Sequence, residues 1–186
     1  AIMNLQKQDS TFANPYYLQI PHHYEDSKNY TEAEKFYLRC GHARNAVEMY
    51  TRASYWEDAH RVAITYMSNS EVNQLYSSHA QRLESQGKYK EAEKLYLTVD
   101  EFDLAINMYK QHHLFDDMTR LVTKYRNQHL KDTHLLIANQ LEEEGKFKKA
   151  ESHYIQADEW KKAVNMYRRI EHWEDAVRCA KVYSGP

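Results

Sequence analysis

Eleven histidines, two cysteines and a dense population of carboxylates are the residues of this 186-residue chain that could do chemistry. Histidines at ligand spacing would hold a metal, but His22-His23 and His112-His113 are adjacent pairs that point to different sides of a helix or lie in a turn. His129 and His134 are five apart and are expected to straddle a loop. Neither His-Glu-x-x-His nor Cys-x-x-Cys occurs. The histidines therefore read as surface and turn residues. Cys40 precedes Gly41 at an expected helix end, where the dipole opposes a thiolate, and Cys179 sits at a packing position beside Val177 and Ala180. The carboxylates read as polar helix faces, with no two singled out as an acid–base pair. No catalytic, cofactor-binding or metal-ligating residue emerges, so the expected protein is not an enzyme and takes no cofactor.

What positions these residues is a repeat. Trp56-Glu57-Asp58-Ala59 recurs as Trp173-Glu174-Asp175-Ala176, 117 residues later. Ala33-Glu34-Lys35-Phe36-Tyr37, Ala92-Glu93-Lys94-Leu95-Tyr96 and Ala150-Glu151-Ser152-His153-Tyr154 lie 59 and 58 residues apart. Met49-Tyr50, Met108-Tyr109 and Met166-Tyr167 keep the same spacings. Self-similarity at a fixed period means stacked units. Inside each copy a 13-residue grain appears: Ala33, Ala46, Ala59; Ala92, Ala105, Met118; Ala150, Ala163, Ala176. A helix of about ten residues with a short turn fills that spacing, and short links make neighbours antiparallel. Each small Ala lets helices approach, and the Tyr four residues on fills the neighbouring groove. Ala33, Tyr37, Trp56, Ala92, Tyr96, Ala105, Ala150, Tyr154, Ala163 and Trp173 are thus the structural markers of the repeat. The two Trp are expected to open helices and anchor them on the preceding ones.

The fold class that follows is all-α, an α-solenoid of short antiparallel helices in three super-repeats of about 58 residues. Four Gly and three Pro among 186 residues suit it, and sixteen Tyr suggest rings that are buried while their hydroxyls reach water or backbone. Helices are expected at 29–39, 42–53, 55–66, 70–86, 88–98, 101–111, 114–126, 132–144, 146–157, 159–170 and 172–182. Gly87 and Gly145 are expected to end helices in the left-handed conformation, with Lys28 in the matching place of the first copy. Asp100, Asp103, Asp116 and Asp158 are expected near helix starts as caps or dipole partners. Residues 1–28 read as an irregular or degenerate start with at most one helix, over 2–12, because Pro15 and Pro21 interrupt it; residues 29–186 read as the solenoid. The whole reads as a piece of a longer chain.

A net charge of −2 offers no field for nucleic acid and is compatible with no more than weak contact with a membrane surface. Two distant cysteines fit a reducing compartment, and no apolar run is long enough for a transmembrane helix. Lys146, Lys148, Lys149, Lys161, Lys162, Arg168 and Arg169 make the last copy locally basic, which reads as a solvated face balanced by Glu142–Glu144. Asn45, Asn107 and Asn165 are the residues that would converge on an inner face if the chain captured a peptide in a groove.

A 13-residue grain gives helix pairs of about 26 residues, shorter than the ~34 of an ordinary tetratricopeptide unit. The runs Leu83 to Tyr96, Asp103 to Lys110, Asp132 to Leu135, Leu141 to Gly145 and Trp160 to Tyr167 resemble the tetratricopeptide-like solenoid of the largest subunit of the intraflagellar transport B complex. The resemblance covers about residues 24–183. It implies a non-enzymatic scaffold for trains that move cargo in cilia, with other intraflagellar transport subunits as partners and a location in the cytoplasm and cilium. Solenoids of the companion A complex and of vesicle coats share the style of repeat, and a peptide-binding tetratricopeptide-like adaptor is the other alternative.

Overall fold

The computed structural model describes residues 19–184 and places them in helices joined by tight turns. They are α1 (Gln19–Asp26), α2 (Tyr30–Arg39), α3 (Ala43–Arg52), α4 (Trp56–Tyr66), α5 (Asn69–Ser85), α6 (Tyr89–Thr98), α7 (Phe102–Gln111), α8 (Phe115–Tyr125), α9 (Leu130–Glu143), α10 (Phe147–Gln156), α11 (Trp160–Arg169) and α12 (Trp173–Tyr183). No strand occurs among the described residues. Short helices packed on their neighbours in the chain make an α-solenoid. The chain forms two compact units, one ending at Ser78 and one starting at His79, so the division falls inside α5. In the first unit α1, α2, α3 and α4 pack in sequence; in the second, α6 through α12 do the same.

Four helices make one copy of the super-repeat, beginning with α1, α5 and α9. Alanine lines the contacts because a side chain any larger would hold the backbones apart: Ala33, Ala46, Ala59, Ala92, Ala105, Ala150 and Ala163 have no exposed surface. Around them Met49, Met108 and Met166 fill the remaining space, each at most 2% exposed.

Nearly every turn is the same object. In the α2–α3 turn Gly41 has φ +74°; its N–H donates to the Leu38 carbonyl and that of His42 donates to the Tyr37 carbonyl. These two bonds satisfy carbonyls that the end of a helix leaves open. The pattern recurs at Gly87 and Gly145, but also at Lys28, Ser54, Asp100, His113, Asp158 and Glu171, all with φ between +55° and +65°. Asp100 and Asp158 are therefore the left-handed residues that close helices, which corrects their expected place as caps; Asp103 and Asp116 do lie in first turns. Lys28 adopts the conformation that glycine takes in the other two copies.

Two departures concern the ends of elements. Pro21 lies inside α1 and is buried, because the first turn of a helix has no internal acceptor for its N–H and loses nothing to proline. The helix expected over 2–12 lies outside the described residues. The segment before α9 is a 3-10 turn, Asn127–His129, that runs directly into the helix, so His134 stands within α9 and no loop separates it from His129.

Candidate functional site

The carboxylates are where the structure differs most from a polar-face reading. Glu93 and Glu151 are 7% exposed, and each is the residue after a marker alanine. Glu151 accepts a hydrogen bond from Tyr167 Oη at 2.7 Å and two from Arg178, at 3.0 and 2.7 Å. Glu34 accepts from Tyr50 at 2.6 Å and from Arg61 at 3.0 and 2.7 Å. Glu93 accepts from Tyr109 and, at 2.7 Å, from Arg120. In all three the Tyr lies 16 residues on and the Arg 27 residues on. Each clamp thus ties a helix to its next neighbour and its second neighbour: α2 to α3 and α4, α6 to α7 and α8, α10 to α11 and α12.

A second set is offset by nine residues. Glu25 accepts from Tyr37 and from Arg52, the latter at 2.8 Å, and Glu142 accepts from Tyr154 at 2.8 Å and from Arg169. In the middle copy Gln111 stands where the others have Arg52 and Arg169, and Glu84 is met by His112 Nε2 at 3.0 Å. Five tyrosine hydroxyls, of Tyr37, Tyr50, Tyr109, Tyr154 and Tyr167, thus reach carboxylates, a partner not among those expected from the sequence. Planar guanidinium forks suit this task because they can donate to both oxygens at once.

In two of the clamps the carboxylate is held in its charged form. Hydrogen bonds from Arg61 hold Glu34 below the ordinary carboxylate range against the opposing effect of burial, with Tyr50 adding to them. Burial pushes Glu151 up, but the bonds from Arg178 and Tyr167 outweigh it and leave the group lowered. Burial, and then the neighbouring carboxylate, raise Tyr37, Tyr50, Tyr109, Tyr154 and Tyr167, so each hydroxyl remains a donor.

The marker residues take distinct places. Tyr37, Tyr96 and Tyr154 are at most 2% exposed, and Tyr37 and Tyr154 belong to clamps. Trp56 opens α4 and is half-buried. Trp173 opens α12 but is 59% exposed, alongside Val177 and Val182, so it does not anchor that helix. The reason is local. In the first unit His60, the counterpart of Val177, meets Tyr76 of the following helix at 3.3 Å, whereas no described helix covers that face of α12.

The remaining candidates stay apart. Among the described residues no three His, Cys, Asp or Glu side chains come together as a metal site. His134 and His153 face each other, Nδ1 to Nδ1, at 2.9 Å between α9 and α10, a contact that sequence spacing could not reveal. Cys40 is partly buried and Cys179 fully so. Asn107 and Asn165 are exposed, and Asn45 sits in the register of Leu104 and Lys162, so the three do not share a repeat position. In the basic set, Lys146, Lys148 and Arg169 pair with Glu144, Asp175 and Glu142. No described helix is long and apolar enough to cross a membrane.

The solenoid as a whole is similar to known proteins. The family model described as GEMI5 TPR domain matches residues 10–130. The Mus musculus intraflagellar transport protein 172 homolog is 47% identical over 185 residues, covering 100% of this chain and 11% of that protein. The Chlamydomonas reinhardtii intraflagellar transport protein 172 is 49% identical over 179 residues, 95% of this chain and 10% of its own length. The Caenorhabditis elegans intraflagellar transport protein osm-1 is 34% identical over 178 residues, again 96% and 10%. This chain therefore spans about a tenth of each of these relatives, and it belongs to the family of the GEMI5 TPR domain, as a homologue of one stretch of the intraflagellar transport 172 proteins.

Proposed function

We propose that the chain is a scaffold segment of an intraflagellar transport B complex subunit, holding other train proteins through its helix faces and catalysing nothing. The observation that carries this is similarity running through the whole solenoid: 47% identity across the full chain to a protein named for intraflagellar transport. The clamps supply the physical counterpart. Six carboxylates are committed to tyrosine, arginine or histidine partners, which leaves them holding helices in register and not meeting a substrate. The partners are other intraflagellar transport subunits, without nucleic acid, and the location is the cytoplasm and the cilium, from its base along the axoneme.

The test is co-purification. The full-length protein containing this chain, tagged at its own locus, should appear in isolated ciliary trains at the stoichiometry of the other B-complex subunits. Its absence from trains, with recovery in vesicle-coat fractions, would overturn the assignment while leaving the solenoid intact.

A further inference from the structure

One corner of the super-repeat differs in chemistry among its three copies. In the middle copy Lys90 reaches from the start of α6 to Asp117 in the first turn of α8, with its ammonium 5.6 Å from the centre of the Tyr109 ring. In the last copy Lys148 makes the corresponding ion pair with Asp175 at 2.9 Å, beside Tyr167. The first copy keeps the Asp and the Tyr, as Asp58 and Tyr50, but has Thr31 where the others have Lys. A threonine side chain is too short to cross. Asp58 accordingly keeps 47% of its side chain exposed, against 27% for Asp117 and 26% for Asp175.

The same corner gains aromatic surface. Tyr55 stands where the other copies have Leu114 and His172. Tyr30, Tyr50 and Tyr55 lie with ring centres 5.4 to 6.5 Å apart and planes 55° to 81° from one another. With Asp58 they bound an open groove of about 350 Å³. A cation seated in the groove would meet this aromatic surface as well as the Asp58 carboxylate.

We propose that this groove of the first unit is a docking site for a lysine side chain of a partner protein, its ammonium set among Tyr30, Tyr50 and Tyr55 and ion-paired with Asp58. The occupant is argued from the chain itself, since its own lysines occupy the two equivalent corners. Arg61, 3.3 Å from Asp58, does not bar a second cation: Arg120 and Arg178 lie 3.2 Å from Asp117 and Asp175 while Lys90 and Lys148 pair with the same carboxylates. Lys28 borders the groove and forms no side-chain ion pair among the described residues. An acidic segment would meet Asp58 and Glu34, and Arg61 beside them already donates to both carboxylates, which leaves Lys28 as its counter-charge. One exposed ion pair contributes little, so a single lysine binds weakly and the rest of a partner's surface sets the affinity. The site does not depend on which assembly the chain serves.

The test is a nuclear magnetic resonance titration of the 186-residue protein with Nα-acetyl-lysine methylamide, and with the norleucine analogue as the uncharged control. The lysine probe should shift the ring signals of Tyr30, Tyr50 and Tyr55 saturably, and the norleucine probe should not. Asp58→Asn should abolish the shift, and Asp117→Asn should leave it unchanged. Thr31→Lys should also abolish it, by filling the corner from within; if that variant folds poorly, Asp58→Asn alone decides. No saturable shift with the lysine probe, an equal response to norleucine, or a shift retained in Asp58→Asn would each overturn the proposal.

Discussion

The first and last copies of the super-repeat share their clamps and differ at their rims. Glu34 and Glu151, 117 residues apart, hold the same Tyr and Arg partners with hydrogen bonds that agree to within about 0.1 Å. Around them, Lys28 replaces Gly145, Thr31 replaces Lys148 and Tyr55 replaces His172. The backbone does not register the exchange, since Lys28 and Gly145 both take the left-handed turn. A charge-assisted triad built on an enclosed carboxylate fixes helix register, whereas residues at the solvent edge of a turn are free to change chemistry. Architecture and surface are thus separable in this fold, and four experiments probe how far.

The largest effect belongs to the clamps. Glu151→Ala leaves the Tyr167 hydroxyl without its acceptor and removes the tie to α12, and should cost about 3 kcal/mol in urea unfolding. Glu34→Ala should cost the same within about 1 kcal/mol, because its side chain is similarly enclosed, 12% exposed against 9%. A loss confined to one copy would break the equivalence. Next comes Ala105→Trp in the middle copy, where an indole enters a contact with no exposed surface; overpacking should lower stability by about 1–3 kcal/mol or more. An unchanged melting temperature there would show that Ala105 is not a contact residue.

The third experiment sharpens the comparison through pH. Burial lowers His134, and burial with the charge of His134 lowers His153, both from an ordinary value of 6.5. The unfolded chain then takes up protons first, so stability present above pH 6.5 declines as pH falls below it. Asp116 of α8 opposes this at His153, and Lys149 and Lys146 border the same cleft. The middle copy has Tyr76 and Leu95 in these places. The double variant His134→Tyr, His153→Leu should therefore flatten the slope of melting temperature between pH 6.5 and about 5, above the range in which the lowered Glu34 and Glu151 protonate. The smallest effect is at the turns. Glu171→Gly and Ser54→Gly should each stabilise by about 1 kcal/mol or less, by relieving a left-handed residue that carries a Cβ. Gly145→Lys should cost a similar amount, and measuring it beside Lys28→Gly would show whether the two corners are energetically alike.

Much of this architecture was legible in the sequence. The 13-residue grain, eight alanines and Met118, located nine of the helices to within a few residues, because small residues at a close contact leave a periodic trace. Trp173 was legible as a helix start but not as an exposed residue, since exposure depends on what packs against a face. The clamps escaped because a single carboxylate looks the same whether it faces water or a tyrosine 16 residues away. Their signal was present all the same: Glu34, Glu93 and Glu151 follow the marker alanines in every copy, with an Arg 27 residues later. The left-handed Ser54, His113 and Glu171 left no trace, as nothing in those side chains distinguishes the conformation. Only their 13-residue distance from the preceding left-handed turn, at Gly41, Asp100 and Asp158, sets them apart.

The 27-residue reach of the clamps has a consequence for how such a chain can change over time. Each carboxylate meets an arginine two helices ahead, across two turns whose lengths are fixed by their paired carbonyl bonds. One extra residue in either turn would present a different helical face, rotated by about 100°, to a buried charge. The nine-residue offset between the two sets places the α2–α3 turn and the α10–α11 turn within the spans of two clamps each. Substitution is therefore cheap in this array and insertion is not: its letters can drift while its count stays fixed.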